Sequence, residues 1–179
     1  LFSLAVDMSF VMVDIEADGP IPGDYSMVSL GAVIVNQSLS VTFYGKLKPI
    51  SEKYMSSALI IPGFTRNETM EFDDPKEIML RFSDWLKNNC EEHPIFISDN
   101  NGFDWMFVCW YFHHFLGENP FGYSSVNLGS LYKGVVRDMF QSFKHLRKTK
   151  HTHNPVDDAK GNAEAFLDII QKFDLRIQL

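Results

Sequence analysis

The sequence predicts one α/β domain with a mixed sheet, and three observations support this. Its first part contains three apolar segments. The second and third are so close that they must pair antiparallel, because a parallel pair needs a crossover of about a dozen residues. In the second part, segments with helical periodicity alternate with short apolar runs. The chain has 179 residues, of which 45% are hydrophobic and 22% charged, as expected for a single globular domain.

The first three predicted strands are Phe10–Ile15, Met27–Val35 and Val41–Leu47. Phe10–Ile15 is apolar and partly β-branched at successive positions, which is typical of a central strand that is buried on both faces. A short polar turn joins the second and third strands. The stretch between Pro49 and Pro75 is the least regular part of the chain.

The remaining elements are predicted from helical spacing and from short apolar runs. The first of these helices has Asp74 in the N-cap position and proline at its first residue. The second helix is apolar over most of its circumference, which indicates that it is buried. In chain order, these elements are helix Pro75–Asn89, strand Ile95–Ser98, helix Phe103–Leu116, strand Val126–Leu128, helix Ser130–Lys144 and helix Pro155–Phe173.

The sequence gives no sign of a membrane segment or of an oxidising compartment. No apolar run approaches the ~20 residues that cross a bilayer. Cys90 and Cys109 have neither metal-ligand spacing nor a disulfide framework. We therefore expect reduced thiols, a cytoplasmic location and no membrane partner. We also expect one domain over residues 8–179, with residues 1–7 as a non-native or disordered leader, because Met8 can be the natural start.

Asp14 and Glu16 follow the apolar run of the first strand and are two residues apart, so their side chains leave the same face. They lie at the carboxyl end of a strand predicted to be central, where open α/β sheets place their ligands. Two adjacent carboxylates repel each other unless a cation lies between them, and oxygen ligands suit Mg²⁺ or Mn²⁺. The alternative is a pair of surface acids in a turn.

Two later segments could add ligands to this site. Asp104 stands at the start of the predicted helix Phe103–Leu116, where an N-cap is the alternative role. On the last helix, at ~100° per residue, Asp158 falls at the border with the core and Asp157 in the middle of the solvated face. His153 precedes this helix and can reach the same cleft, although it could also be one more residue of a basic loop.

The net charge of −7 is unusual for a protein that binds nucleic acid. Bound cations would neutralise the local excess of carboxylates. A basic cluster, defined here as Lys144, Arg147, Lys148 and Lys150 and accompanied by His145 and His151, lies directly before His153 and could guide a substrate backbone. The alternative is that these side chains belong to a solvated helix end, where cations suit the helix dipole.

The three acidic segments together resemble the motifs of the DEDDh branch of the 3′–5′ exonucleases. Asp14–Gly19 resembles the first motif, with Asp18 where threonine is more usual. Phe103 and Asp104 match the second motif, and His153–Asp158 has the spacing of the third. The family includes RNase T, oligoribonuclease and the polymerase III proofreading subunit. The nearest branch comprises phage and prophage exonucleases similar to a mycobacterial exoribonuclease.

The resemblance implies an RNase H-like fold, with a mixed five-stranded sheet flanked by helices, and a two-metal mechanism with two Mg²⁺ or Mn²⁺ ions. By resemblance, Asp14 bridges both ions, Glu16 and Asp158 complete the site of the attacking water, and Asp104 supports the second ion. His153 is the expected general base, the role that histidine most often has in catalysis. The products are nucleoside 5′-monophosphates released from the 3′ ends of single-stranded DNA or RNA.

The expected substrate contacts are Ala17, Asp18, Phe103, Lys148 and Lys150, with core packing as the alternative for Phe103. A homodimer stays open as an alternative to a monomer. Other functions also stay open at this point: an RNase H-like endonuclease, a hydrolase of dinucleotides or small phosphate esters, and a catalytically silent nucleic-acid-binding module.

Overall fold

Five strands form one mixed sheet in the computed structural model, which describes residues 8–91 and 93–177. The spatial order of the strands is β3-β2-β1-β4-β5. β2 is antiparallel to both β1 and β3, whereas β4 is parallel to β1 and β5 is parallel to β4. The predicted leader, residues 1–7, lies outside the described residues. The strands are β1 Met8–Ala17, β2 Met27–Ile34, β3 Thr42–Lys46, β4 His93–Ser98 and β5 Ser125–Asn127.

Six α-helices and one 3₁₀ helix accompany the sheet in the described part of the chain. Two of them, α1 and α2, fall in the stretch for which the sequence showed no regular pattern. None of the helices among the described residues is both long and apolar enough to cross a membrane. The α-helices are α1 Ser56–Ile60, α2 Arg66–Met70, α3 Pro75–Asn89, α4 Asn101–Leu116, α5 Leu128–Val136 and α6 Pro155–Phe173, and the 3₁₀ helix is Phe143–Leu146.

β1 is the central strand, and its two faces belong to two different cores. Val11 and Val13 pack with α3 and α4, whereas Phe10 and Met12 pack with α5 and α6. All four side chains are buried, so the prediction of a strand covered on both faces is confirmed. By this alternation, the side chains of the even-numbered residues of β1 face α6.

The start of α6 lies directly against the sheet. Asn154 caps the helix by accepting a hydrogen bond from the Val156 amide, and Pro155 occupies the first helical position, as predicted. The close approach depends on Gly31 of β2, because a Cβ atom at this position would overlap the backbone of Pro155 and Val156. Gly31 is the cross-strand partner of Asp14, so the glycine sets the depth at which α6 meets the end of β1.

The predicted helix Ser130–Lys144 is wrong in its second half, because α5 ends at Val136. Arg137 adopts a left-handed conformation with φ of 57°. The Arg137 amide donates a hydrogen bond to the Gly134 carbonyl. The Asp138 carboxylate then accepts a hydrogen bond from the Phe140 amide, so this amide is satisfied without another helical turn. The chain turns back to bury its next aromatic side chain in the 3₁₀ helix.

We predict that Gly31→Ala destabilises the fold by about 1–3 kcal/mol, because it forces α6 away from the sheet in a packed region. Gly134→Ala is the matched control, since nothing lies within 4 Å of a Cβ atom at that helical position. Urea denaturation of both variants measures the free energy of unfolding. Equal stability of the Gly31→Ala variant and the wild-type protein would contradict this description of the contact between α6 and the sheet.

Candidate active site

Three carboxylates from two elements meet at the carboxyl end of β1. Asp14 and Glu16 come from β1, and Asp158 comes from the first turn of α6. One oxygen atom from each of the three lies within 4.8 Å of the others. Asp158 is 1% exposed, so the predicted phase of the last helix, with Asp158 turned inward, is confirmed.

Asp104 adds a fourth carboxylate from the first turn of α4, just beyond the end of β4. α4 begins at Asn101, two residues earlier than predicted, and Asn100 is its N-cap. Asp104 is therefore not the cap. The side chain is 2% exposed, and its Oδ2 atom has no hydrogen-bond partner among the described residues. A buried carboxylate oxygen without a donor is expected to bind either a proton or a cation.

The crowding of these acids raises their pKa values. Burial is the main cause of a pKa of Asp14 well above its ordinary value, and the charges of Asp104, Asp158 and Glu16 raise it further. Burial, followed by the charge of Asp158, raises the pKa of Glu16 to about 7. Burial also raises the pKa of Asp104 to about 8, against the opposing effect of Ser98. The cluster therefore favours binding of positive charge.

Asp158 is held by more donors than the other carboxylates. Nη2 of Arg147 lies 3.3 Å from its Oδ1 and 2.9 Å from its carbonyl oxygen. The Thr152 amide donates to Oδ1 at 3.1 Å, and the His153 amide donates to Oδ2 at 3.0 Å. Nδ1 of His151 lies 2.7 Å from Oδ1. These contacts fix the orientation of the Asp158 carboxylate at the edge of the cluster.

Arg147 was predicted to be part of the basic cluster that guides substrate, and its position contradicts this role. Its side chain is 7% exposed and lies across α6 at Gly161, where an added Cβ atom would be 2.8 Å from Nε. Sequence reasoning could not distinguish this residue from its basic neighbours, because its burial depends on a helix that begins eight residues later.

His153 has a left-handed backbone, with φ of 59°. This conformation is unfavourable for a residue with a side chain, and the hydrogen bond from its amide to Asp158 helps to maintain it. Nδ1 of His153 lies 3.7 Å from Oε1 of Glu16, and the side chain is 41% exposed. The His151 ring is 4.2 Å away, between ring centroids. His151 was expected only to accompany the basic cluster, and its contact with Asp158 was not predicted.

Ala17 and Asp18, which were predicted to contact substrate, have their side chains in the protein interior. Ala17 is buried, and Asp18 is completely buried. The Asp18 carboxylate accepts the Ser26 amide and forms an ion pair with Arg66 at 3.0 Å. Its side chain therefore has no free surface for a substrate, which corrects the prediction. Phe103 is half-buried and packs on Phe107 at a ring distance of 5.0 Å, as in the core-packing alternative.

The lysines of the predicted basic cluster point in different directions. Lys148 pairs with Asp168 at 3.5 Å. Asp168 lies ten residues beyond Asp158 on α6, which corresponds to ~15 Å along the helix. Lys148 is thus directed away from the carboxylates, and this corrects the prediction that it contacts substrate there. Lys150 is exposed, and Lys144 lies 3.5 Å from Asp99, close to the start of α4.

The donor set fits divalent cations that prefer oxygen ligands. It consists of four carboxylates, one of them with an unpartnered buried oxygen, and two of them have pKa values raised to about 7 and about 8. Such an arrangement is typical of sites in which cations bind to an all-carboxylate set. A site of this kind can stabilise negative charge that develops on a phosphate ester.

The chain resembles known nucleases in sequence and in fold. It is 36% identical over 168 residues to the 3′–5′ DNA exonuclease Cap18 of Escherichia coli, and the alignment covers 88% of this chain and 89% of that protein. No family model matches the chain. Among solved structures, cell-death related nuclease 4 (CRN-4) has a TM-score of 0.75 at 14% identity, over 92% of this chain and 64% of that one.

Two further structures have the same fold. The nuclease domain of 3′hExo, a DEDDh family member bound to rAMP, has a TM-score of 0.72 at 14% identity and covers 98% of each chain. The zinc-bound complex of E. coli ExoI with single-stranded DNA has a TM-score of 0.71 at 15% identity, over 93% of this chain and 41% of that one. The present chain thus spans less than two thirds of CRN-4 and less than half of ExoI.

These structures confirm the predicted RNase H-like architecture, a mixed five-stranded sheet flanked by helices. The alignment with Cap18 covers most of both chains, and its sequence identity is well above that of the structural neighbours. On this evidence, the chain belongs to the family of 3′–5′ exonucleases that includes this relative, and it has the fold of the DEDDh family member 3′hExo.

Proposed function

We propose that the protein removes nucleotides one at a time from the 3′ end of single-stranded DNA, using two Mg²⁺ or Mn²⁺ ions. The observation that carries this proposal is the convergence of Asp14, Glu16 and Asp158 oxygens within 4.8 Å, beside the buried Asp104. DNA is proposed because the 36% identical relative is named as a DNA exonuclease, and RNA is tested as the alternative. We further propose that residues 8–179 act as one exonuclease domain.

The carboxylates are assigned to the ions by the resemblance to the exonuclease motifs. Asp14 would contribute to both ion sites, and Glu16 and Asp158, whose oxygens lie within 4.8 Å of it, would complete one of them. Asp104 would support the other site from α4, where its Oδ2 has no hydrogen-bond partner in the described part of the chain. When bound, the ions would stabilise the negative charge on the attacking and leaving oxygens of an in-line displacement. Arg147 and the two amides would hold Asp158 in the orientation that this ligand set requires.

His153 is the proposed general base. Its Nδ1 faces Glu16, so we assign proton acceptance to Nε2. The oxygen of a water molecule attacks phosphorus as His153 takes its proton, and the bond between phosphorus and O3′ breaks. The O3′ atom stays on the shortened strand, and a nucleoside 5′-monophosphate is released. His151 is not assigned this role, because its Nδ1 already lies 2.7 Å from Oδ1 of Asp158, where it would orient that carboxylate.

We predict that a 5′-labelled single strand of DNA gives a ladder of products that shorten from the 3′ end, in the presence of Mg²⁺ or Mn²⁺ and not with chelator. The same assay with RNA of equal length and sequence measures the sugar preference. A circular single strand is the control, since it has no 3′ end. Cleavage of the circle would support the endonuclease alternative and contradict the proposal.

The adjacent aspartates of α6 offer a matched pair of variants. We predict that Asp158→Asn lowers kcat by at least about 100-fold, because it removes a charged ligand oxygen from the site. Asp157→Asn should change kcat by less than about threefold, since the Asp157 carboxylate accepts a hydrogen bond from the Thr152 hydroxyl and is not one of the clustered carboxylates. Both variants are compared with the wild-type protein on the same labelled strand, with thermal denaturation to check folding. Equal losses in the two variants would exclude the assigned role of Asp158.

A further inference from the structure

A cavity of about 370 Å³ lies beside the carboxylate cluster, on the side of the loop between β4 and α4. Asp99, in this loop, is one wall of the cavity, and its charge acts directly on Asp104. The opposite walls come from the start of α5 and from the turn that follows α5, with Ser130, Lys133 and Phe140 among the lining residues. The cavity thus adjoins the proposed catalytic site but shares none of the four carboxylates.

Phe140 stands on the rim of this cavity with its side chain almost entirely in water. It is 98% exposed, and the neighbouring Met139 is 70% exposed. Asp138 fixes the turn that carries them: its carboxylate accepts the Phe140 amide at 2.9 Å and the Gln141 side chain at 3.3 Å. At the other end, Phe143 is buried in the core and anchors the chain. The turn therefore presents a large aromatic ring to solvent from a fixed backbone.

Two lysines lie on or near the walls of this cavity. Lys133 of α5 lines the same cavity. Nζ of Lys144 lies 3.5 Å from Asp99, and its side chain is 63% exposed, so it can reach a second anion. An aromatic face beside lysines is the combination that holds single-stranded nucleic acid, because every base can stack and every phosphate attracts a cation.

We propose that Phe140, Lys133 and Lys144, here called the Phe140 surface, bind the part of a single-stranded substrate that lies 5′ of the scissile phosphate. The inference rests on the proposed function, because the terminal nucleotide must occupy the carboxylate cluster. Only nucleotides further toward the 5′ end can then reach the adjoining cavity. One base stacks on Phe140, and Lys133 and Lys144 contact backbone phosphates. The substrate strand would then follow the Phe140 surface and not Lys148, which is directed toward Asp168.

The test compares Phe140→Ala with Tyr123→Ala. Tyr123 is the matched control, because its side chain is also exposed, at 94%. It precedes β5 and therefore lies at the end of the parallel strands opposite to the carboxylate cluster. Initial rates are measured on a single strand of about 20 nucleotides and on a dinucleotide. Phe140→Ala should raise KM on the long strand about tenfold, the effect of one stacked base. Its kcat and its dinucleotide hydrolysis should be unchanged, as should every value for Tyr123→Ala.

A second variant tests the cationic part of the surface. Lys133→Gln should reduce the slope of log KM against log salt on the long strand by about 0.7, the value of one phosphate contact. An unchanged KM in Phe140→Ala, or an unchanged salt slope in Lys133→Gln, would overturn the inference for that residue, and both together would overturn it whole. Wild-type digestion is scored separately: if it produces no 3′ ladder, the proposed function itself fails.

Discussion

The repulsion among four carboxylates at the end of β1 is the constraint on which the rest of the structure depends. Asp14, Glu16, Asp104 and Asp158 come from three different elements, and burial prevents water from screening them. Of the four, only Asp158 has an arginine within ion-pair distance among the described residues. Burial is the main cause of the raised pKa values of the other three, and neighbouring carboxylates raise them further, even with Arg147 acting in the opposite direction on Asp14. A cluster built in this way is most stable when cations occupy it.

Close packing around the cluster holds the carboxylates together although not every acid has a cationic side chain beside it. Gly31 lets the start of α6 approach β1, which brings Asp158 and the positive end of the helix dipole to the site. Gly161 lets Arg147 lie flat across α6 and reach the carbonyl and carboxylate of Asp158. Two positions without side chains thus determine how closely the charged elements pack. Neither glycine touches the reacting groups, yet both fix the distances between them.

Local patterns predicted the elements and the acids but not the partners of charged side chains. Strand alternation placed Asp14 and Glu16 on one face, and the helix phase identified Asp158 instead of Asp157, because these properties depend only on neighbouring residues. Arg147 was misassigned and the burial of Asp18 was missed, because the burial of each depends on another part of the chain: Gly161 of α6 for Arg147, and Arg66 for Asp18. The early end of α5 was also missed.

Proton release on cation binding tests the central claim most directly. At pH 7 without a cation, Glu16, with a pKa of about 7, is about half protonated, and Asp104, with a pKa of about 8, is mostly protonated. Mn²⁺ must displace these protons, so calorimetric titration in two buffers of different ionisation enthalpy should show release of about one proton or more per protein. The release should fall as pH rises above the pKa values and should decrease in Asp14→Asn. Mn²⁺ binding without proton release at pH 7 would contradict the account.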